Sequence, residues 1–461
     1  MQKIIIDNFR QISHAEIEVR DFLFLIGEQA SGKSTIAKLI YFFQLLKEEY
    51  MDIINTEESD RRMGDDVMEN IISFIEDQFR VFFGEADIQR QRQFWIQYLI
   101  STDDDAYITL QNVDGELGVS YSDDFEARLR EGDRRYGESL KDIYKEGKPN
   151  PLNVLTKGMV QLMPDIYARE RAQGILESTA DDIFGGRKKC LFIPAGRNIT
   201  VAYPEQFQML FFGELYSSSK SMSLNNSVDM LMMRDFISHA ARMRDYFKSI
   251  PLLPKDGNAF NVQVSQKLLS ILHGQYRNEE GVERISHNGE GYTLLEKASS
   301  GQQEAIRLVQ DAMYVLNEGH PVTRIIEEPE SHLFPTAQKD LIQLLIMVAN
   351  KTGSQLIITT HSPHVMATFN NLLYYTRALQ KEPGKRAEIE KHFGTEGFDE
   401  GKQERLNILV DKFQAYALSP TGETYCHSIF DSNTHLIGEN YIDEATEEIY
   451  DDADFLYSLL Y

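Results

Sequence analysis

The sequence predicts an α/β protein with a parallel-sheet core, a lobe of mixed β-sheet and helical insertions, and no long coiled coil. Three observations lead there. Phe22–Ile26 is fully apolar, as a strand buried on both faces is, and a Gly-rich turn and a helix-compatible stretch from Thr35 to about Tyr50 follow it. Val322–Ile326, a helical pattern over Ala337–Asn350 and the apolar run Gln355–Thr360 repeat strand, helix, strand, the grammar of a parallel sheet. No heptad pattern is sustained over many turns.

The elements follow in chain order. Ile4–Ile6 is an apolar run, and Ala15, Ile17 and Val19 alternate with polar residues, so both segments read as strands. Thr56–Gln78 is charged and helical in pattern. Trp95–Ile100, Tyr107–Gln111 and Gly118–Ser122 read as short strands joined by polar turns such as Ser101–Asp105. Residues 123–149 are charge-rich and poor in large apolar side chains, which predicts an exposed helical excursion. Cys190–Pro194 is a short apolar strand, and 205–275 is helical and Met-rich, broken near Pro251 and Pro254. Val282–Ser286 and Tyr292–Leu295 flank His287–Gly291, a hairpin signal. Residues 380–405 form a polar excursion.

Composition narrows the class. Of 461 residues, 42% are apolar and 11% aromatic, enough to bury a sizeable core and to exclude wholesale disorder. With 47 Lys+Arg against 72 Asp+Glu the net charge is −25, which argues against a protein that coats nucleic acid and leaves room only for a local basic groove. Cys190 and Cys426 lie far apart and form neither a disulfide framework nor a zinc pattern, as in a reducing cytosol. The N-terminal MQKIIIDNFRQ has too short an apolar run for a signal peptide, and no stretch approaches the ~18 apolar residues of a spanning helix. The expectation is a soluble cytoplasmic protein with no membrane partner.

Four motifs carry chemistry. Gly27-Glu28-Gln29-Ala30-Ser31-Gly32-Lys33-Ser34, followed by Thr35, matches G-x-x-x-x-G-K-[ST] between a strand and a helix. Its glycines let N–H groups curl round a phosphate chain, Lys33 neutralises the β and γ phosphates, and the Ser34 hydroxyl can ligate Mg²⁺. Val322–Ile326 ends in Glu327-Glu328-Pro329; neighbouring strand residues point opposite ways, which assigns Glu327 to the metal and Glu328 to the attacking water. Alone, that pair is a solvated turn; beside a phosphate loop it is catalytic. Ala298-Ser299-Ser300-Gly301-Gln302-Gln303 precedes a helix, where small residues and a hydroxyl make either an anion site or an ordinary cap. Ile357–Pro363 places His361 at a strand end. His361 with His364 suggests metal only weakly, because no Cys or carboxylate lies at ligand spacing.

In this order the four motifs resemble the ABC-type ATPase heads of the SMC and RecF group. The resemblance covers about residues 1–50 and 285–375 strongly. It implies ATP and Mg²⁺ as ligands and a signature motif that completes the site of a second copy. Ser299, Gly301 and Gln302 stand where the family's L-S-G-G-Q has its serine, second glycine and glutamine, with Ser300 at its first glycine and Ala298 at its leucine. His361 stands at the switch histidine that senses the γ-phosphate, and Arg10 in Asn8-Phe9-Arg10 at the arginine that approaches the nucleotide. Glu328–Leu333 covers the catalytic glutamate and the dimer-contacting loop, with Glu327 at the usual aspartate. The glutamine of the family's Q-loop has only Gln111 as a candidate. The implied organisation is 1–122 as the N-terminal part of the head with the phosphate loop, 123–284 as a mostly helical insertion lobe, 285–375 as the C-terminal part of the head, and 376–461 as an extension with an acidic tail.

Glu-Glu-Pro-Glu-x-His-Leu and Thr-His-Ser-Pro are typical of the OLD-like branch. OLD-type nucleases continue into a Toprim domain with an Asp-x-Asp after a strand; 373–461 offers only Asp452-Ala453-Asp454 in an acidic, helix-like tail, so no intrinsic nuclease is expected. A transporter subunit is disfavoured because Lys33 and Ser299 stand too far apart along the chain. Two readings remain. One is the sensor and scaffold ATPase of a bacterial anti-phage complex, with a slow regulatory hydrolysis. It resembles the ATPases of the PARIS systems, with those of Septu as rival. Its partners would be itself in a head-to-head dimer or an assembly of dimers, a separate effector nuclease (Toprim-like or HNH) and a phage-encoded trigger protein. The other is a RecF-like repair ATPase acting on DNA ends or gaps, which the net charge disfavours. In the tail, Ile442, Ile449 and Leu456 lie seven apart among acidic residues: a helix packed on its own domain, or a docking surface for a basic partner.

Overall fold

The structure, a computed structural model, describes residues 1–60, 67–91, 93–146, 162–186, 189–202, 228–255, 257–287, 291–420 and 424–438. The tip of the expected hairpin at 288–290, part of the Met-rich region at 203–227 and the acidic stretch 439–461 lie outside them. In chain order the strands are β1 (Gln2–Phe9), β2 (Ile12–Val19), β3 (Phe22–Gly27), β4 (Gln93–Leu99), β5 (Tyr107–Val113), β6 (Glu116–Tyr121), β7 (Lys189–Ile193), β8 (Gln275–Glu279), β9 (Val282–His287), β10 (Gly291–Leu294), β11 (Val322–Glu327), β12 (Gln355–Thr360), β13 (Phe413–Leu418), β14 (Cys426–Ser428) and the short pair β15 (Phe430–Asp431) and β16 (Leu436–Ile437). The backbone divides into two units: Met1–Glu18 with Phe42–Arg187, and Val19–Tyr41 with Lys188–Tyr461.

The first unit is built on a five-stranded sheet in the order β2-β1-β4-β5-β6, with β4 antiparallel to β1 and β5, and β5 antiparallel to β6. Alternation in the sequence selects one face: Ile4 and Ile6 of β1 are buried, as are Phe94, Ile96 and Tyr98 of β4. Phe79 and Phe83 of the helix Val67–Phe83 pack with Phe9, whose ring centroid lies 5.2 Å from that of Phe83 and 5.0 Å from that of Phe94. The helix Asp123–Glu146 corrects one expectation. It is no exposed excursion, because Phe125, Leu129, Tyr136 and Leu140 recur at helical spacing and are buried, alongside Leu176, Ala180 and Ile183 of the helix Leu162–Phe184. Charged residues fill only its outer face.

The second unit carries a six-stranded sheet in the order β14-β13-β3-β12-β11-β7. Strands β13, β3, β12, β11 and β7 run parallel, and β14 pairs antiparallel with β13. Every residue of β3 and β12 is buried, as continuous apolar runs covered on both faces require. The helices Ser300–Glu318, Pro335–Thr352 and Pro363–Lys381 contribute to that core; the Phe369 ring sits 4.7 Å from that of Phe24. Two strands of this sheet come from segments expected to lie apart from it: β7 from the helical lobe and β13 from the C-terminal extension. A smaller antiparallel sheet, β10-β9-β8, contains the expected hairpin, with Gly291 opposite His287, and a strand, β8, that the polar sequence QYRNE concealed. The expected mixed sheet, parallel core and inserted helices are all present. The longest described helix, Lys33–Asp60, has 28 residues, and the described residues form no long coiled coil. Among the described residues, no helix is long and apolar enough to cross a membrane.

Because five core strands are parallel, their carboxyl ends share one edge. Gly27, Ile193, Glu327, Thr360 and Leu418 all lie there, and the loops that follow gather where α/β sheets bind ligands.

Candidate nucleotide site at the carboxyl ends of the core strands

The phosphate loop leaves β3 at Gly27. A Cβ on that residue would lie 2.3 Å from the Ser31 Oγ and 2.9 Å from the Leu418 carbonyl, so no side chain fits. Ala30 (φ 59°) and Gly32 (φ 90°) turn the chain through the left-handed region. The helix Lys33–Asp60 then starts, with Ser31, Lys33 and Thr35 buried and Ser34 half-buried. The Lys33 Nζ donates to the carbonyls of Gly27 and Glu28, the latter at 2.6 Å, and to the Ser31 Oγ at 3.5 Å. Burial lowers the pKa of this ammonium, and Glu328, Glu330, Glu28 and Glu327 act in the opposite direction. Tyr425 supports the loop from the C-terminal part of the chain: its hydroxyl donates to the Ser31 carbonyl at 2.7 Å. Burial, with a smaller effect of Cys426, pushes that phenol up to about 12, so it stays a donor at neutral pH.

Glu327 ends β11, opposite Thr359 of β12, and its Oε2 accepts from the Ala195 N–H at 3.3 Å. Glu328 leaves the ladder with φ 40°, and its N–H donates to the Thr359 carbonyl at 2.9 Å. Its Oε1 lies 3.3 Å from the Nδ1 of His361, both side chains partly exposed. His361 is placed in turn by Glu330, whose buried Oε1 accepts from the Thr360 hydroxyl and from the His361 N–H. Burial raises the pKa of Glu330, and those hydrogen bonds act in the opposite direction. Lys33, Glu327, Glu328 and His361, far apart in sequence, thus converge at one edge.

The signature segment forms a capping box. The Ser299 Oγ accepts from the Gln302 N–H at 3.3 Å, and the Gln302 Oε1 accepts from the Ser299 N–H at 3.2 Å. Gln302 is also tied within its own chain, donating to the Leu272 carbonyl at 2.7 Å, while Ser299 and Ser300 are exposed. Gly301 packs against the loop after Glu328: a Cβ there would meet the His332 carbonyl at 2.6 Å. Two expected residues belong to the first unit. The Arg10 guanidinium donates to the Phe83 carbonyl at 3.1 Å and lies 5.3 Å from the Phe83 ring centroid. Gln111 is exposed on β5.

Sequence reasoning missed Arg197 and Tyr425. The one signal for Arg197 is a Gly-Arg pair directly after an apolar strand. Its Nη1 donates to the carbonyls of Pro194 (2.9 Å) and Glu327 (2.7 Å), and its Nη2 to that of Glu328 (2.9 Å).

These residues fit Mg²⁺-ATP. The glycine loop opens onto a helix N-terminus, and one lysine stands among four carboxylates. Such an excess of negative charge would repel a bare polyphosphate, so a divalent cation belongs to the ligand. Ser34 and Glu327 are the side chains to hold it. Among the described residues no group of three or more His, Cys, Asp or Glu side chains is arranged to hold a metal ion by itself.

Known proteins place the chain in a family. Residues 1–158 and 193–366 match the AAA ATPase domain. Over 80 residues the chain is 31% identical to a probable ABC transporter ATP-binding protein p29 of Mesomycoplasma hyorhinis, an overlap of 17% of this chain and 30% of that protein. The chain therefore spans less than a third of the length of that curated relative. Among solved structures, the SMC head domain from Thermotoga maritima is 14% identical, with 79% of this chain and 90% of that one covered at a TM-score of 0.33. The Smc head domain bound to the C-terminal domain of ScpA, from Pyrococcus furiosus, is 14% identical, with 80% and 92% covered at 0.32. The recombination mediator RecF in its ATP-analogue form is 13% identical, with 79% and 93% covered at 0.25. Likeness of that degree carries no inference about this chain. The family match spans most of the chain and both halves of the nucleotide site: the chain belongs to the AAA ATPase domain family (AAA_15) and is an ATP-binding ATPase.

Proposed function

We propose that the chain is the ATP-hydrolysing sensor and scaffold subunit of a bacterial anti-phage complex, which holds a separate effector nuclease and releases it when a phage trigger protein is sensed. The observation that carries the chemistry is the Glu328–His361 pair, 3.3 Å apart at the strand ends beside Lys33. Glu328 orients and deprotonates the attacking water, His361 bridges it to the γ-phosphate, and Lys33 neutralises the β and γ phosphates. Ser34 and Glu327 would hold Mg²⁺, which would supply charge neutralisation. Exposed Ser299 and Ser300 at a helix N-terminus suit the phosphates of a second copy, in a two-fold head dimer with two nucleotides at its interface. Support for the defence role is the joint presence of Glu-Glu-Pro-Glu-x-His-Leu and Thr-His-Ser-Pro. The ATPase subunit of the PARIS system (AriA) is the model for this reading, and that of Septu (PtuA) the rival.

Co-expression with a candidate effector nuclease, Toprim-like or HNH, followed by phage challenge, tests the reading. The nuclease is expected to co-purify, and Glu328→Gln to abolish protection. A chain that captures no nuclease and instead binds gapped DNA in an ATP-dependent way is a RecF-like repair ATPase.

A further inference from the structure

Arg197 and Glu304 form the most deeply buried ion pair around the site, at 0% and 1% exposure. A pair taken so far from water gains little net stability over an apolar pair of the same shape. Its bonding shows another use. We infer that Arg197, held by Glu304, is a positioning residue that sets the Glu328 carboxylate and ties it to the signature helix of the same chain. The inference rests on the reading of Glu328 as the group that activates water.

Glu328 adopts φ 40°, a backbone conformation that is strained for a residue with a side chain and persists only where its surroundings impose it. Three hydrogen bonds hold its backbone. The Glu328 N–H donates to the Thr359 carbonyl at 2.9 Å, and the Glu328 carbonyl accepts from the Arg197 Nη2 at 2.9 Å and from the Ser331 N–H at 3.1 Å. Fixing both backbone groups fixes the direction of the Cα–Cβ bond, and from there the carboxylate reaches His361. The same guanidinium holds the Glu327 carbonyl at 2.7 Å, so both carboxylate residues hang from one planar fork.

The other end of the fork belongs to the signature helix. Glu304 Oε2 accepts from the Arg197 N–H at 3.1 Å and lies 3.2 Å from its Nε, while Oε1 accepts from the Asn198 N–H at 3.3 Å. Glu304 stands little more than one turn beyond Ser299, the N-cap of that helix. Gly301, on the same turn, packs against the His332 carbonyl in the loop that follows Glu328. The start of the helix is therefore tied to this segment twice, through Arg197 and through that loop. A shift of the signature loop, such as engagement of another copy's nucleotide would cause, moves the catalytic carboxylate of its own chain.

Two conservative variants test this. Arg197→Lys keeps the charge but cannot reach three carbonyls; Glu304→Gln keeps the shape and removes the charge. Each is expected to bind a fluorescent ATP analogue within about threefold of wild type while kcat falls by about 10- to 100-fold. Each is then combined with Glu328→Gln. If Arg197 acts through Glu328, neither variant lowers kcat further in that background. An equal fractional loss in both backgrounds, an unchanged kcat, a nucleotide affinity that falls in step with kcat, or failure of both variants to fold would make the pair structural and overturn the inference. If instead Glu328→Gln alone turns over like wild type, it is the underlying assignment of Glu328 that falls.

Discussion

The phosphate loop and the carboxylate end of β11 meet at the same sheet edge but are held in opposite ways. The loop is shaped by its own neighbours: Gly27 and Gly32 allow the turn, and Lys33 donates to the carbonyls of Gly27 and Glu28. The carboxylate end is shaped from afar. Glu328 is clamped by Thr359 and Arg197, and its partner His361 is placed by Glu330. A locally shaped element suits a task that recurs unchanged, the holding of phosphate. One assembled from several strands can be adjusted by whatever moves those strands, which suits a step under control. Damage to the loop should therefore appear in binding and damage to the carboxylate end in turnover.

The largest effects test that division directly. Lys33→Ala removes the loop's own charge on the β and γ phosphates and is expected to abolish ATP binding by equilibrium titration. Glu328→Gln should bind ATP as wild type does and hydrolyse it about 10²- to 10⁴-fold more slowly, since a neutral amide cannot take the proton. Wild-type turnover in Glu328→Gln would remove it from the catalytic role. Next comes Ser299→Arg, which places bulk on the exposed signature face. A single chain should still bind ATP, while steady-state hydrolysis should be lost, since the proposed head dimer could not close. Undiminished hydrolysis would show that each chain works alone.

The difference between the two regions also explains what the sequence disclosed. The phosphate loop was legible because its chemistry needs contiguous glycines, a lysine and a hydroxyl between a strand and a helix. Glu327, Glu328 and His361 were legible because each ends an apolar run. Ser299 and Gln302 carry the Ser-x-x-Gln spacing of a capping box, which the structure realises. Arg197 and Tyr425 were not legible, because what they do depends on carbonyls brought near only by the fold. Strand β13, FQAYAL, has no β-branched residue, and only its place beside β3 makes it a strand. In the helix Asp123–Glu146 the apolar stripe was present in the sequence but diluted by charge.

A smaller effect is expected where the signature helix touches the loop after Glu328. Gly301→Ala puts a methyl 2.6 Å from the His332 carbonyl, and a backbone oxygen cannot turn aside as a side chain can. Either the helix start or the 331–333 segment must shift, at a cost of about 1–3 kcal/mol in stability. Chemical denaturation should show that loss, and kcat should fall with ATP affinity nearly unchanged. Weaker ATP binding with kcat intact would place this contact on the loop's side of the division.

The smallest effect probes a remote support of the loop. Tyr425→Phe deletes a single hydroxyl, whose hydrogen bond to the Ser31 carbonyl spans 2.7 Å in a buried setting. The ring remains, so packing is kept. The loss is one neutral hydrogen bond, about 0.5–1.5 kcal/mol. All of it falls on the loop, since Ser31 lies within the turn that Lys33 closes. ATP affinity is therefore expected to weaken by about two- to tenfold, with kcat at saturating ATP unchanged. The phenol is protonated at neutral pH, so the difference from wild type should not vary between pH 6 and 9. A drop in kcat with affinity intact would mean that the loop, like the carboxylate end, is set from a distance, and the two regions would no longer differ in kind.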